Sequence, residues 1–88
     1  MRTHIELNDI IIDAIKRNGG KSVKLQKPVQ VESFFDGKVN ITEIIASRSP
    51  EFPYDLLWKT DEGKTCDDML GYDLTVDDLE EMVRQLPN

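Results

Sequence analysis

Few side chains in this sequence are of the types that carry out catalysis. His4 and Cys66 are the single histidine and the single cysteine, and they form the one combination that could supply a base and a nucleophile. No spacing in the sequence indicates that they meet in the folded protein. We therefore interpret His4 as a surface residue and Cys66 as a small, partly buried thiol.

The tripeptide Gly63-Lys64-Thr65 matches the end of a phosphate-binding loop. The complete loop also needs a glycine five residues before Gly63, so that backbone amides surround the phosphate. Trp58 occupies that position. The sequence therefore does not predict a nucleotide site.

Carboxylates are concentrated in the second half of the chain, which raises the question of calcium binding or acid–base catalysis. A calcium loop needs oxygen ligands at fixed steps, a central glycine and a late bidentate glutamate, and no window of the sequence supplies all of them. Paired carboxylates act as acid and base only in a cleft that perturbs them, and the pattern indicates no cleft. We predict a protein that is not an enzyme and needs no cofactor or metal, with these carboxylates forming a solvated face.

The balance of charge argues against nucleic acid as a partner. The net charge is −6, and the two halves differ: residues 1–50 carry eight Lys/Arg and six Asp/Glu, whereas residues 51–88 carry three and eleven. An acidic domain is repelled by phosphate backbones and gains nothing from counterion release. The acidic half could instead steer the chain towards a basic protein, or it could simply keep a small protein in solution.

Length and apolar content bound the fold. A chain of 88 residues with 39% hydrophobic content predicts one domain, residues 1–88, with a modest core. Its stability should be marginal unless a partner or a second copy of the chain adds to it. A single cysteine excludes an internal disulfide, and the apolar run Ile10-Ile11-Ile12 is far shorter than a membrane span. We expect a cytoplasmic protein that does not bind membranes.

The elements that must position these residues follow from the periodicity of the apolar side chains. Residues 2–7 alternate polar and apolar, which predicts a short strand, and Asn8 can then cap a helix. Asn18-Gly19-Gly20 predicts the end of that helix, because these residues accept the left-handed backbone of a helix terminus. The apolar face of the helix would hold Ile11, Ala14 and Ile15.

The middle of the chain changes to the period of a strand. Apolar residues alternate with polar ones, and Pro28 among them marks a sheet edge or a break. Asp36-Gly37 predicts the turn of a hairpin whose returning strand covers residues 38–45. Residues 55–60 predict a further strand, and residues 61–64 a further turn.

The last third of the chain predicts helices. Thr65 could cap a short helical turn that ends at Gly71, and Thr75 begins a capping box in which Asp78 replaces the usual glutamate. The helix after Thr75 has an acidic face, which includes Glu80, and an apolar stripe that we expect in the core: Val76, Leu79, Met82, Val83 and Leu86. Together the elements predict an α+β domain with an N-terminal helix, a central antiparallel hairpin or small sheet, and a C-terminal acidic helix.

Aromatic residues beside carboxylates suggest a protein-binding site. The candidate anchors and charged contacts are Phe52, Tyr54, Asp55, Trp58, Asp61, Glu62, Asp67, Asp68 and Tyr72. The aromatic residues would also suit an ordinary core with a solvated edge. This alternative applies above all to Trp58.

The first twenty residues resemble the opening of ribbon-helix-helix antitoxins. The resemblance rests on MRTHIELND followed by a helix, and it implies that Arg2, His4 and Glu6 read the major groove of DNA. That family continues with a second helix, whereas this chain continues with Pro28 and strand-like alternation. The net charge and Glu6 also argue against DNA binding.

A longer part of the chain, about residues 22–83, resembles the phage tail assembly chaperones. The resemblance rests on VKLQKPVQV from Val23, FDGKVNITEI from Phe35 and RSP from Arg48. It implies an extended stretch, a hairpin and short acidic helices. It also implies a non-catalytic protein that shields a long tape-measure protein during tail assembly and is absent from the finished particle.

A small acidic inhibitor, immunity protein or antitoxin is the alternative function. Such proteins place carboxylates over a basic site of the partner, so that charge raises the association rate and a few buried anchors supply affinity. Both hypotheses predict that the partner is another protein, and homo-oligomerisation is compatible with either.

Overall fold

The computed structural model describes residues 2–33, 37–46, 56–67 and 74–86. Two helices and four strands are described in these ranges. Their bounds are α1 His4–Arg17, β1 Ser22–Ser33, β2 Gly37–Ala46, β3 Leu56–Thr60, β4 Thr65–Asp67 and α2 Val76–Arg84.

The four strands form one antiparallel sheet in which each strand pairs with the next along the chain. Both helices pack on one face of this sheet: α1 contacts β1 and β2, α2 contacts β1, and the two helices contact each other. The predicted α+β fold with a helix at each end is confirmed. The core between the helices and the sheet contains Leu7, Ile11, Ile15, Val23, Val29, Val31, Ile41, Ile44, Leu56, Trp58, Leu74, Leu79 and Met82.

The N-terminal strand predicted for residues 2–7 is wrong, and so is the cap at Asn8. The helix already begins at His4, because Thr3 and Glu6 form a capping box. The Glu6 amide donates to the Thr3 hydroxyl at 3.2 Å, and the Thr3 amide donates to the Glu6 carboxylate at 3.4 Å. Leu7 is therefore a buried helical residue, one turn before Ile11.

The end of α1 and the two strands of the hairpin are as predicted, whereas Asp36 of the predicted turn lies outside the described residues. The Asn18 amide donates to the carbonyls of Ala14 and Ile15, and Gly20 with a φ of +76° completes the reversal. β1 and β2 then pair from Ser22 to Ser33, and the hairpin closes at Gly37, whose φ is +70°. Pro28 lies on the edge strand where the register shifts, so its missing amide breaks no regular pair.

The helical turn predicted from Thr65 is also wrong. The turn at residues 61–64 forms as expected, with the Gly63 amide donating to the Thr60 carbonyl at 3.0 Å. It reverses the chain so that Thr65 pairs with Lys59 and continues as β4. Pairing with β3 satisfies backbone groups that a short isolated helical turn would leave open. The predicted end of that turn at Gly71 lies outside the described residues.

The C-terminal helix has the predicted cap and stripe. The Asp78 amide donates to the Thr75 hydroxyl at 3.1 Å, and the Thr75 amide donates to the Asp78 carboxylate at 3.1 Å. Leu79 and Met82 are buried, and the other stripe residues pack against the core from its edge.

Two side chains fasten α2 to the rest of the molecule. Glu80 lies on the acidic face as predicted, but it is ion-paired, because the Arg2 guanidinium donates to both of its oxygens, at 3.1 and 2.5 Å. Gln85, just after the helix, accepts a hydrogen bond from the Lys27 amide at 2.8 Å. The C-terminal helix is therefore tied to the start of the chain at one point and to the edge strand β1 at another.

Candidate functional site

The face of the sheet opposite the helices is not covered by any described element. Strand residues alternate between faces, and the set Val23, Ile44 and Trp58 points into the core. The residues between them form two rows across the strands on the other side, which we call the uncovered sheet face. The first row is Ser22, Ile45 and Leu57, and the second row is Lys24, Glu43, Lys59 and Thr65.

The first row contains two apolar residues in direct cross-strand register. Ile45 pairs with Leu57, and both are half-buried without belonging to the core. Side chains in such positions are about 4.5–5.5 Å apart at Cβ, so they form one small apolar patch. The apolar patch of the uncovered sheet face therefore lies at the end of the sheet where β2 stops and β3 starts.

The second row is charged and partly fixed by hydrogen bonds. The Ser22 hydroxyl donates to the Glu43 carboxylate at 2.6 Å, and the Lys59 ammonium lies 4.0 Å from its other oxygen. Lys24 is exposed and has no ion-pair or hydrogen-bond partner among the described residues. The row thus offers one unpaired ammonium group and one that is shared with a carboxylate.

The sequence-predicted anchor Trp58 lies in the core. It is 0% exposed and sits on the helix side of β3, so in this conformation it is not accessible to a partner. The structure therefore agrees with the alternative that assigned this residue to the interior. Its size explains the placement, because the core of so small a domain is filled by a few large side chains.

The predicted charged contacts are divided between the two ends of the sheet. Asp61 and Glu62 are exposed in the turn after β3, where Asp61 accepts a hydrogen bond from the Asn40 amide group at 3.1 Å. The backbone of Asp67 pairs with Leu57 at the other end. At about 3.3 Å per residue, the turn lies roughly 13 Å along the strand from Leu57.

The other five predicted contacts lie outside the described residues: Phe52, Tyr54, Asp55, Asp68 and Tyr72. Residues 47–55 connect Ala46 to Leu56, and residues 68–73 follow Asp67. Ala46, Leu56 and Asp67 all lie at the end of the sheet that carries the Ile45–Leu57 patch. The five contacts therefore belong to segments joined to that end, whereas Asp61 and Glu62 belong to the opposite end.

The residues considered for catalysis have ordinary structural positions. His4 is exposed in the first turn of α1, and Cys66 lies in β4 opposite Trp58. In the Gly63-Lys64-Thr65 tripeptide the Lys64 amide donates to the Thr60 hydroxyl at 3.2 Å, so this amide is engaged within the turn. No group of three metal-ligating side chains occurs within the described ranges.

Two ion pairs of α2 lower the pKa values of its carboxylates. The hydrogen bond from Arg2 lowers the pKa of the Glu80 carboxyl below its ordinary value. The hydrogen bond from Arg84, one turn further along the helix, lowers the pKa of Glu81 in the same way. Both pairs are in contact with solvent, so each contributes modestly to stability.

Sequence reasoning missed the uncovered sheet face, although a signal for it exists. Ile44-Ile45 and Leu56-Leu57 are adjacent apolar residues within strands, and successive side chains of a strand point to opposite faces. One residue of each pair must therefore point away from the core. Register then places Ile45 and Leu57 side by side.

Comparison with known proteins does not assign the chain to a class. No family model matches it, and no curated protein or solved structure gives a significant match. In the part of the chain that the structure describes, neither helix has the length and apolar character needed to cross a membrane.

Proposed function

We propose that this protein acts by binding another protein, and that the uncovered sheet face is part of the binding surface. The observation that carries the proposal is the position of Ile45 and Leu57, side by side on a face that no described helix covers. Protein interfaces combine an apolar centre with a polar rim. The row of Lys24, Glu43 and Lys59 supplies such a rim next to the apolar pair.

The connectivity of the chain supports the predicted anchors. Phe52, Tyr54 and Tyr72 belong to the two segments that are joined to the same end of the sheet as Ile45 and Leu57. Aromatic residues are enriched at the centres of interfaces and among the residues that dominate binding energy. We therefore retain these three residues as partner-binding residues and replace Trp58 by Leu57.

As the particular function we propose a phage tail assembly chaperone that acts in the cytoplasm. The first motif lies on β1 and residues 37–44 of the second lie on β2, which supports this choice, whereas the third motif lies outside the described residues. Pro28 of the first motif lies at the register shift of the edge strand, and Gly37 of the second lies where the strands join. The partner is then a long tape-measure protein that binds many copies of this chain, without a catalytic step, cofactor or metal.

The helix layer favours a second candidate function, that of an acidic inhibitor or antitoxin. Exposed carboxylates on the two helices are Glu6, Asp9, Asp13, Asp77 and Glu81. An inhibitor would turn this acidic surface towards a basic site on its target, where it would raise the association rate. The two functions therefore use different sides of the molecule.

Affinity capture followed by binding kinetics tests both functions. Tagged wild-type protein is used to isolate and identify the partner, and binding is then measured at two salt concentrations for Leu57→Ser and for Asp9→Asn combined with Asp13→Asn. Glu62→Gln, an exposed change in the β3–β4 turn, serves as the control.

The outcomes separate the hypotheses. A tail chaperone loses affinity with Leu57→Ser, mainly through faster dissociation, binds in many copies and responds weakly to salt. An inhibitor binds as a single copy, associates more slowly when Asp9 and Asp13 are neutralised, and responds steeply to salt. Salt-independent binding by a single copy, unchanged by these variants, contradicts both. Tight binding to nucleic acid would contradict the proposal of a protein partner, although the N-terminal strand of ribbon-helix-helix antitoxins is absent here because α1 begins at His4.

A further inference from the structure

The side of α1 that points away from the core carries apolar and acidic residues together. Ile5 is 74% exposed, and it is the only large hydrophobic residue so exposed within the described ranges. Asp9 follows one turn later, and Asp13 continues the same exposed side of the helix, whereas the half-buried Ile12 beside them packs against the core. We call Ile5, Asp9 and Asp13 the α1 outer stripe.

The α1 outer stripe matches the uncovered sheet face in spacing. A helix rises 1.5 Å per residue, so Ile5 and Asp9 are about 6 Å apart along the axis. Leu57 and Lys59 are two residues apart in β3, which corresponds to about 6.6 Å along a strand. Ile45 and Glu43 repeat the separation in the next strand. A helix lying along the strands would therefore place Ile5 on the apolar pair and Asp9 over the charged row.

The charges that would meet are opposite and available. Asp9 and Lys24 are exposed, and neither side chain has an ion-pair or hydrogen-bond partner among the described residues. The Lys59 side chain is also 43% exposed, and its ammonium lies 4.0 Å from the Glu43 carboxylate. The sheet therefore offers ammonium groups beside an apolar patch, and the helix offers carboxylates beside the exposed Ile5.

We propose that the protein self-associates head to tail, with the α1 outer stripe of one copy on the uncovered sheet face of the next. The two surfaces lie on opposite sides of one molecule. A dimer formed in this way therefore has a free sheet face at one end and a free α1 outer stripe at the other. Further copies can add at both ends, unless the rotation between successive copies closes the chain of molecules into a ring. The net charge of −6 opposes close approach, so the association is weak and depends on concentration.

Charge reversal on the two surfaces tests the proposal with purified protein and no partner. Sedimentation velocity is measured from micromolar to millimolar concentration for wild type, Asp9→Lys, Lys24→Glu, an equimolar mixture of these two variants, and the chain carrying both changes. Glu62→Lys is the control, because it makes the same change in net charge as Asp9→Lys in the β3–β4 turn. Circular dichroism and Trp58 fluorescence verify that each variant is folded.

We expect wild type and Glu62→Lys to sediment faster as concentration rises. Each single reversal should weaken association about tenfold or more, since it places like charges opposite each other. The mixture and the chain with both changes should regain association, because each restores an opposite pair. A wild type that stays monomeric throughout overturns the proposal. Association that survives Asp9→Lys also overturns it, because that result indicates a symmetric sheet-to-sheet contact. This test is independent of the proposed partner protein, so either idea can fail alone.

Discussion

Leu79→Ala should destabilise the domain strongly. Leu79 is 1% exposed on the face of α2 that packs on the core, and its neighbour on that face, Met82, is 0% exposed. Truncation of a buried leucine removes apolar contact and leaves a cavity, which costs about 2–5 kcal/mol. A folded chain of 88 residues has about 4–13 kcal/mol of stability in total. The change should therefore remove at least about 15% of the free energy of unfolding, and about half of it or more if the total is near the lower limit.

Urea unfolding followed by Trp58 fluorescence measures this loss. Trp58 is the single tryptophan and is 0% exposed, so its emission reports directly on the core. With a slope near 1 kcal/mol per molar urea for a small protein, the midpoint should fall by about 2 M or more. Glu81→Ala on the exposed side of the same helix is the matched control, and it should change stability by no more than about 0.5 kcal/mol. Wild-type stability of Leu79→Ala, together with loss of partner binding, would show that the stripe is an interface and would refute the core assignment.

Three further outcomes follow from other parts of the structure. The pKa of Glu80 is lowered in the folded state, so the stability from the Arg2–Glu80 pair is complete above the ordinary pKa of 4.5 and is lost as pH falls below it. In thermal melts from pH 7 to pH 3, the melting temperature of wild type should therefore fall more steeply than that of Glu80→Gln. An equal fall in both proteins would contradict this. Thr75→Ala removes the N-cap of α2 and should cost about 1 kcal/mol in a denaturant melt, whereas an unchanged midpoint would mean that the cap does not stabilise the helix. Chelator, calcium, zinc or ATP should leave the melting temperature unchanged, because a ligand of the folded state would raise it by several degrees.

The C-terminal helix could be predicted from sequence because two independent signals agree there. The Thr75–Asp78 capping box marks its start, and the apolar stripe with Leu79 and Met82 has the period of a helix. The hairpin could be predicted equally well, since Gly37 supplies a positive φ where its strands join.

The N-terminus could not be assigned correctly because two signals conflict. Residues 2–7 alternate like a strand, yet the same stretch contains Thr3 and Glu6 at capping-box spacing. The helix is the more stable structure because it places Leu7 on the same buried face as Ile11 and Ile15, against the sheet. Local alternation over a few residues is a weak signal beside a complete cap and a buried face.

The strand β4 and the candidate site depended on tertiary information. Thr65 is a plausible cap in isolation, but the reversal at Gly63 brings it beside Lys59 in the sheet. The uncovered sheet face likewise exists only through register, which sets Ile45 beside Leu57 although they are separated along the chain. Its aromatic side chain suggested Trp58 as an anchor, whereas the accessible apolar side chain on β3 is that of Leu57.

The bond between Gln85 and Lys27 bears on how the protein resists aggregation. β1 is the longest strand and forms one edge of the sheet, and unpaired backbone groups along such an edge act as a template for strands of other molecules. In the middle of β1 the Lys27 amide is already occupied by Gln85, and Pro28 has no amide to offer. At this point of the edge, where the register is also broken, the Lys27 donor is occupied and Pro28 provides none. The Gln85 side chain and Pro28 therefore interrupt the row of backbone donors that a foreign strand would need along this edge.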